Sequence, residues 1–313
     1  MTTLPVAHSV DGVGLAAARR DGPVVGWVRA HPVGACMAWF FTVGWAIGFI
    51  PFVAKRAYGV EFPSFEPFII ASTWLGLLLP AVVITRVVDG PAGLQALVRR
   101  VLKVRVGLGW YALAVLAVPL LAVAVATLVF GPPTLTPSLL VSAVASGLLV
   151  EAVFGGLTVN LWEETAWMGF VQARLQARRG VWLAVVLTAA LFALQHLPIV
   201  LESGNLVLLV VLFVLMIPFR ALQGCLYNRT GSLFIVGVLH AVGDATGSGG
   251  FNAGLLPRLY PDNAGDASFL SIGAQVLIGL AVIAATRTRL GAPARPAPRA
   301  EAAIAPAGGA PVG

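Results

Sequence analysis

Charge, cysteine and histidine are all scarce in this chain. Of 313 residues, 58% are hydrophobic and only 11% are Asp, Glu, Lys or Arg, with a mean hydropathy of +0.91. A soluble domain carries roughly 25% charged residues. Too few are present here to cover a water-facing surface, so an ordinary soluble enzyme is excluded and the class is a polytopic membrane protein. The two cysteines, Cys36 and Cys225, lie far apart in apolar stretches without CxxC or Cys/His spacing. No thiol redox centre or structural zinc site is indicated, and both read as small buried hydrophobes. The net charge of +7 does not point to nucleic acid, because the arginines cluster between apolar runs, where they set membrane orientation.

What is abundant is long apolar sequence. Windows of about 20 residues give eight segments, at 33–54, 68–88, 110–130, 138–162, 181–199, 205–227, 231–249 and 268–286. The fold class expected is therefore all-α, a polytopic membrane bundle of about eight transmembrane helices. The fourth helix is expected to continue to about Arg174, Pro218 to kink the sixth, and Gly243 and Gly247 to interrupt the seventh. The run from Val33 to Ala54 is too long for a signal-peptide core and reads as a membrane anchor. Residues 1–32 are expected to be a cytoplasmic segment, 33–290 the bundle, and 291–313, rich in Ala, Pro and Gly, a disordered cytoplasmic tail.

Loop charge tests this count. Basic residues gather in the N-terminal segment, in 86–109 (Arg86, Arg99, Arg100, Lys103, Arg105), in 171–180 (Arg174, Arg178, Arg179), at Arg229, and after Thr286. Eight spans place all of these on one side, which the positive-inside rule makes cytoplasmic; seven would split them. The expected location is a plasma membrane of bacterial type, with both termini cytoplasmic.

Three polar clusters interrupt the apolar spans: Glu163-Glu164, His196, and His240 with Asp244 four residues on. A charged side chain at the bilayer centre costs about 2.5–3.5 kcal/mol on insertion scales, so an intramembrane carboxylate marks a functional site by default. Adjacent helical residues point about 100° apart, so Glu163 and Glu164 cannot share one job. One can face the interior and act on a water while the other holds a partner. Glu151, twelve residues earlier in the same span, points elsewhere and reads as a structural hydrogen-bonding group. Phe192 and His196 share a face, as do His240 and Asp244. A lone intramembrane His is more often a satisfied packing residue than a ligand. Two His and two carboxylates on three spans satisfy one another, which is how buried polar groups survive.

A carboxylate in a semi-dry cavity can take a proton from water near neutral pH. Imidazoles beside it can position that water or donate to a developing oxyanion. The same groups, Glu163, His196 and His240, could instead hold Zn²⁺ with one open position, since His/His/Glu is a catalytic zinc set. Either route leads to hydrolysis of an amide bond within the membrane.

These residues resemble the CPBP intramembrane proteases, which include CAAX prenyl endopeptidases and bacteriocin-processing or self-immunity proteins. That family is marked by EExxxR, FxxxH and HxxxN/D on successive core spans. Here they read Glu163-Glu164-x-x-x-Met168, Phe192-x-x-x-His196 and His240-x-x-x-Asp244, with Thr230-Gly231-Ser232-Leu233 as a similar lead-in. The resemblance covers about 158–250, within a core of about 138–250. It implies an abortive-infection-type helical fold and endopeptidase activity on membrane-associated or lipidated peptides. By position, Glu163 would activate the water, His196 would help to place it, and His240 and Asp244 would bind the oxyanion or complete the site. The family's arginine falls at Met168, which leaves Glu164 without that partner. The alternatives are a non-catalytic membrane scaffold or self-immunity protein of the same type, and a proton-coupled transporter.

Overall fold

The computed structural model describes residues 22–248 and 252–291, and the described residues contain helices and loops without a strand. The expected disordered tail from residue 292 onward lies outside the described residues, as do residues 1–21 of the N-terminal segment. The helices are α1 (Pro23–Ala30), α2 (Pro32–Gly48), α3 (Ile50–Tyr58), α4 (Glu66–Val101), α5 (Leu108–Phe130) and α6 (Pro137–Arg179). They continue as α7 (Val181–Gln195), α8 (Leu197–Ser203), α9 (Val207–Thr230), α10 (Leu233–Thr246), α11 (Leu255–Leu259) and α12 (Pro261–Thr286).

Five of these (α4, α5, α6, α9 and α12) are each long and apolar enough to cross a membrane. Two bent pairs raise the number to seven: α1–α2, turned by 106° ahead of Pro32, and α7–α8, turned by 48° at His196. The remaining expected span is α10, only 14 residues long. At 1.5 Å per residue it is about 21 Å, short of the roughly 30 Å of hydrocarbon. Eight is thus an approximate count. The first expected span also differs: its helix breaks after Gly48, where Phe49 and Pro51 start α3. Conversely, α6 runs on to Arg179 and its 43 residues reach about 65 Å, so it projects beyond the hydrocarbon. Inside α4, Gly90 takes φ 70° and ψ −168° directly before Pro91, so the chain turns there and the segment bearing Arg99 and Arg100 forms a separate arm.

Two apolar cores hold the bundle. One joins α2, α4, α6, α7 and α9 around Phe40, Trp167, Phe170, Phe192 and Phe219. The other joins α5, α9, α10, α11 and α12 around Val118, Leu226, Ile235, Leu239 and Leu256. Between them α6 and α10 pack closely because Gly237 has no side chain: a Cβ there would lie 2.9 Å from the Leu161 Cα. That close approach brings the His240 turn of α10 against the Glu163–Glu164 turn of α6.

The two ends of the bundle are tied differently. At one end Arg174 pairs with Asp89, Arg100 donates to the Tyr227 hydroxyl at 2.7 Å, and Lys103 donates to the Thr230 carbonyl at 2.7 Å. At the other, Lys55 reaches Glu202 at 2.8 Å, Asn252 donates to Glu151 at 2.8 Å, and Arg258 donates to the Ser142 hydroxyl at 2.8 Å. The first end carries the basic loops. Cys36 is fully buried and Cys225 partly so, and both are free.

Candidate active site

Glu163 and Glu164 sit on one turn of α6 and are both buried, yet they face different surroundings. Glu163 lines a cavity of about 420 Å³ that is also lined by His196, His240 and Asp244. Its Oε1 accepts from the Gln195 amide at 2.5 Å, and the Thr73 hydroxyl lies 3.5 Å away. Gln195 is in turn held by the Trp167 indole N–H, which donates to its Oε1 at 2.6 Å. That contact fixes which end of the amide faces Glu163: the carbonyl is occupied, so the NH₂ points at the carboxylate. Thr73 reaches the site because α2 and α4 cross closely at Gly44 and Gly76, where a Cβ on Gly76 would strike the Gly44 backbone.

Glu164 points away from the cavity. Its two oxygens accept from Arg220 Nη1 at 2.8 and 3.0 Å, and both side chains are fully buried. The Arg220 Nε donates to Gln172 at 3.2 Å, and the guanidinium lies 5.4 Å from the centre of the Phe192 ring. Glu164 Oε1 is also 3.0 Å from His240 Nδ1, although the two are not aligned for a linear hydrogen bond. On the other edge of that ring, Nε2 is 3.8 Å from Asp244 Oδ2. Asp244 is held by Asn160, whose amide donates to Oδ2 at 2.8 Å, while the rest of its side chain is exposed to the cavity.

The imidazoles are packed through aromatic rings. Phe192 touches His196 at 5.1 Å and His240 at 6.0 Å between ring centres, and Phe219 meets His240 edge-on at 5.2 Å. His196 Nδ1 lies 2.9 Å from the Phe192 carbonyl. A carbonyl only accepts, so Nδ1 carries the proton and the neutral ring keeps Nε2 as an acceptor.

Four of the five expected site residues thus border one cavity, and Glu164 stands directly behind it. Glu151 is buried and bonded to Asn252, in keeping with a structural role. The proposed zinc set finds no support in the geometry. Among the described residues no three His, Cys, Asp or Glu side chains converge to hold a metal ion, whereas Zn–N and Zn–O bonds need about 2.0–2.2 Å.

Residues 145–246 match the family model of type II CAAX prenyl endopeptidase Rce1-like proteins. Over that stretch the match supports a CPBP-type intramembrane protease. No curated protein matches the sequence. The matched stretch holds all five expected residues, and it also holds Arg220.

Arg220 overturns one expectation about the matched stretch. With Met168 in place of the motif arginine, Glu164 is expected to lack its partner; instead it receives a guanidinium from α9. Met168 is almost fully buried in an apolar cluster with Leu97, Val101, Leu161 and Leu233. The guanidinium that pairs with Glu164 comes instead from a different helix, α9. Arg174 is out of reach of Glu164, as the sequence suggests, and pairs with Asp89 beside the Phe170 ring.

Sequence reasoning missed Arg220, Gln195, Asn160 and Thr73. A signal existed for Arg220, since it is the one charged residue between Leu206 and Asn228 in an otherwise apolar span and such a residue is costly in a bilayer. Asn160 stands three and four residues before the two glutamates, on a neighbouring helical face. Thr73 carries no sequence signal, because only the Gly44–Gly76 crossing brings it in.

Proposed function

We propose that this protein is an intramembrane endopeptidase that hydrolyses a peptide bond in a membrane-associated or lipidated peptide, with Glu163 activating the water. The observation that carries the reading is the division of labour between the paired glutamates. Glu164 is consumed by Arg220, whereas Glu163 faces the cavity beside two imidazoles and an aspartate.

A water between Glu163 and His196 gives its proton to the Glu163 carboxylate while His196 Nε2 orients it. The water oxygen adds to the scissile carbonyl carbon, and negative charge collects on the carbonyl oxygen. His240, held between Glu164 and Asp244, lies where its Nε2 edge can donate to that oxygen. The tetrahedral centre then collapses: the C–N bond breaks and the proton held by Glu163 passes to the departing nitrogen. One fragment leaves as a carboxylate and the other as an amine. General base action of this kind contributes about 10²–10⁴-fold. Glu164 and Arg220 form the support beneath His240 and do not touch the peptide. In this reading the end of the bundle that carries the basic loops faces the cytoplasm, in keeping with the positive-inside rule.

The test is purified, reconstituted protein with a panel of membrane-tethered peptides, assayed with and without a strong chelator, alongside metal analysis. Turnover that survives chelation at well under one metal per chain supports the glutamate reaction. Loss of turnover on chelation, restored by Zn²⁺, overturns it in favour of metal chemistry. No turnover on any tethered peptide overturns the enzymatic reading.

A further inference from the structure

The bend in α4 makes a second hollow, away from the active-site cavity. Gly90 takes a left-handed φ of 70°, which costs glycine little because it has no Cβ. Pro91 follows and has no N–H to continue the helical ladder. The elbow so formed holds an open pocket of about 460 Å³. Arg86 lines it on the approach to the bend, and Pro91, Leu94, Gln95, Val98 and Arg99 line it on the arm beyond. Both arginines are exposed.

The other charges near the bend are already matched. Asp89 pairs with Arg174, and Arg100 turns the opposite way to donate to the Tyr227 hydroxyl at 2.7 Å. Neither Arg86 nor Arg99 has a hydrogen-bond or ion-pair partner among the described residues. Two like charges bordering one hollow repel each other unless an anion lies between them. The walls between them are largely apolar, so a small hydrated anion would meet little else that suits it.

An apolar track leads to this pair of cations. Leu75, Leu79 and Val83 are exposed and recur four residues apart, with Arg86 three residues further on, so they share one face of α4. From Leu75 to Arg86 is about 16 Å at 1.5 Å per residue. That is close to one leaflet of a hydrocarbon core roughly 30 Å thick. The arm is apolar on two sides. Val98 and Leu102 are exposed on its outer face, while Leu97 and Val101 are buried against Met168 on its inner one. The exposed face suits the membrane boundary better than water. A lipid-facing apolar stripe that ends between two unpaired guanidiniums has the outline of a phospholipid.

We propose that the elbow of α4 binds one phospholipid with an anionic headgroup, its phosphate between Arg86 and Arg99 and one acyl chain along Leu75, Leu79 and Val83. The proposal is independent of the peptidase reading. Basic pockets beside membrane helices select anionic headgroups by charge, and a guanidinium matches the spacing of phosphate oxygens. A zwitterionic lipid brings its own ammonium to the same two cations and binds less well. The bound lipid braces the arm. Leu97 and Val101 on the arm's inner face cover Met168, one turn after Glu164, so a steadier arm is a steadier floor beneath the active site.

Native mass spectrometry of the full chain in detergent tests it, titrating dioleoyl phosphatidylglycerol against dioleoyl phosphatidylcholine. The parent protein should bind the first lipid roughly tenfold more tightly than the second. Arg86→Gln with Arg99→Gln should abolish that preference. Arg178→Gln with Arg179→Gln removes the same charge from exposed residues on α6 outside the pocket and should retain it. Gln95→Glu takes away no contact and places a carboxylate in the pocket wall, so it should weaken the preference even if the double variant fails to fold. Equal binding of the two lipids by the parent overturns the proposal, as does a preference that survives Gln95→Glu. An equal loss in both arginine pairs overturns the pocket in favour of the general positive charge at that end. Displacement of the lipid by glycerol 1-phosphate at equal concentration overturns the lipid in favour of a soluble anion. Phosphatidylglycerol should also raise the melting temperature of the parent and not that of the Arg86→Gln, Arg99→Gln protein; binding without that rise overturns the bracing role.

Discussion

Above Glu163 and below Glu164 the same bundle is built to opposite ends. The upper region is a cavity of about 420 Å³ with acidic and aromatic walls. The lower region is a close-packed floor in which a guanidinium, a carboxylate and an imidazole are enclosed by Trp167, Phe192 and Phe219. One peptide bond separates the two glutamates, so position in the chain does not set their difference. The partner does: Glu163 has neutral amide and hydroxyl neighbours and open space, whereas Glu164 has a cation. A buried carboxylate held on both oxygens by a guanidinium becomes fixed structure, and one left facing a cavity stays available for chemistry.

The floor breaks most severely. Arg220→Met strands the Glu164 carboxylate, and removing one partner of a buried pair costs about 3–5 kcal/mol; the melting temperature measured in detergent should fall steeply. Adding Met168→Arg should restore part of that loss, because the new guanidinium starts one turn from Glu164. Failure of the double variant to recover any stability would show that the Met168 site cannot serve the pair. Arg220→Lys should be intermediate, since an ammonium keeps the charge but lacks the Nε–H that the guanidinium gives to Gln172.

Gln195→Ala sharpens the upper region. It removes the amide that orients Glu163, and hydrogen bonds to charged groups are worth about 1.5–3 kcal/mol. Turnover should fall about 10–100-fold by the usual conversion, with the melting temperature nearly unchanged. A fall in melting temperature as large as that of Arg220→Met would place Gln195 with the floor. Asn160→Ala, which frees Asp244, should cost about 1 kcal/mol and show mainly as weaker substrate binding in KM.

The smallest effect belongs to the rim. Lys55 is solvent-exposed, and its ammonium is held above the usual lysine range chiefly by hydrogen bonds to Glu202 and Glu61. A raised folded-state value means that the pairing contributes fully at neutral pH and is lost as pH rises through that value. Exposed pairs of this kind are screened by water, so Lys55→Ala should leave the neutral-pH melting temperature within error. A clear drop at neutral pH would mean that the α3–α8 contact carries more of the fold than its exposure suggests.

Most of the fold is legible in the residue order, because apolar segments of about 20 residues leave a bilayer protein few choices. The expected segment boundaries fall close to α5 and α9, to the start of α4 and to the end of α12. Two features escape that logic. The break after Gly48 falls inside a continuous apolar run, so hydropathy does not register it. The overrun of α6 is expected as far as about Arg174, and only its last turn to Arg179, polar residues that hydropathy counts as loop, is missed. In the site, the paired glutamates, His196, His240 and Asp244 stand out as isolated polar groups in apolar surroundings. Arg220 stands out in the same way, yet the motif spacing directs attention to position 168 on the same helix, and spacing within one helix is silent about a partner on another. Thr73 and Gln195 are ordinary residues made relevant by a glycine crossing and an indole contact.

Glu163→Gln and Glu164→Gln, compared in turnover of a membrane-tethered peptide and in melting temperature, test the split between the glutamates most directly. Glu163→Gln should fold like the parent protein and lose about 10²–10⁴-fold in turnover, while Glu164→Gln should lose stability first and activity only as a consequence. Parental turnover by a well-folded Glu163→Gln protein would contradict the account.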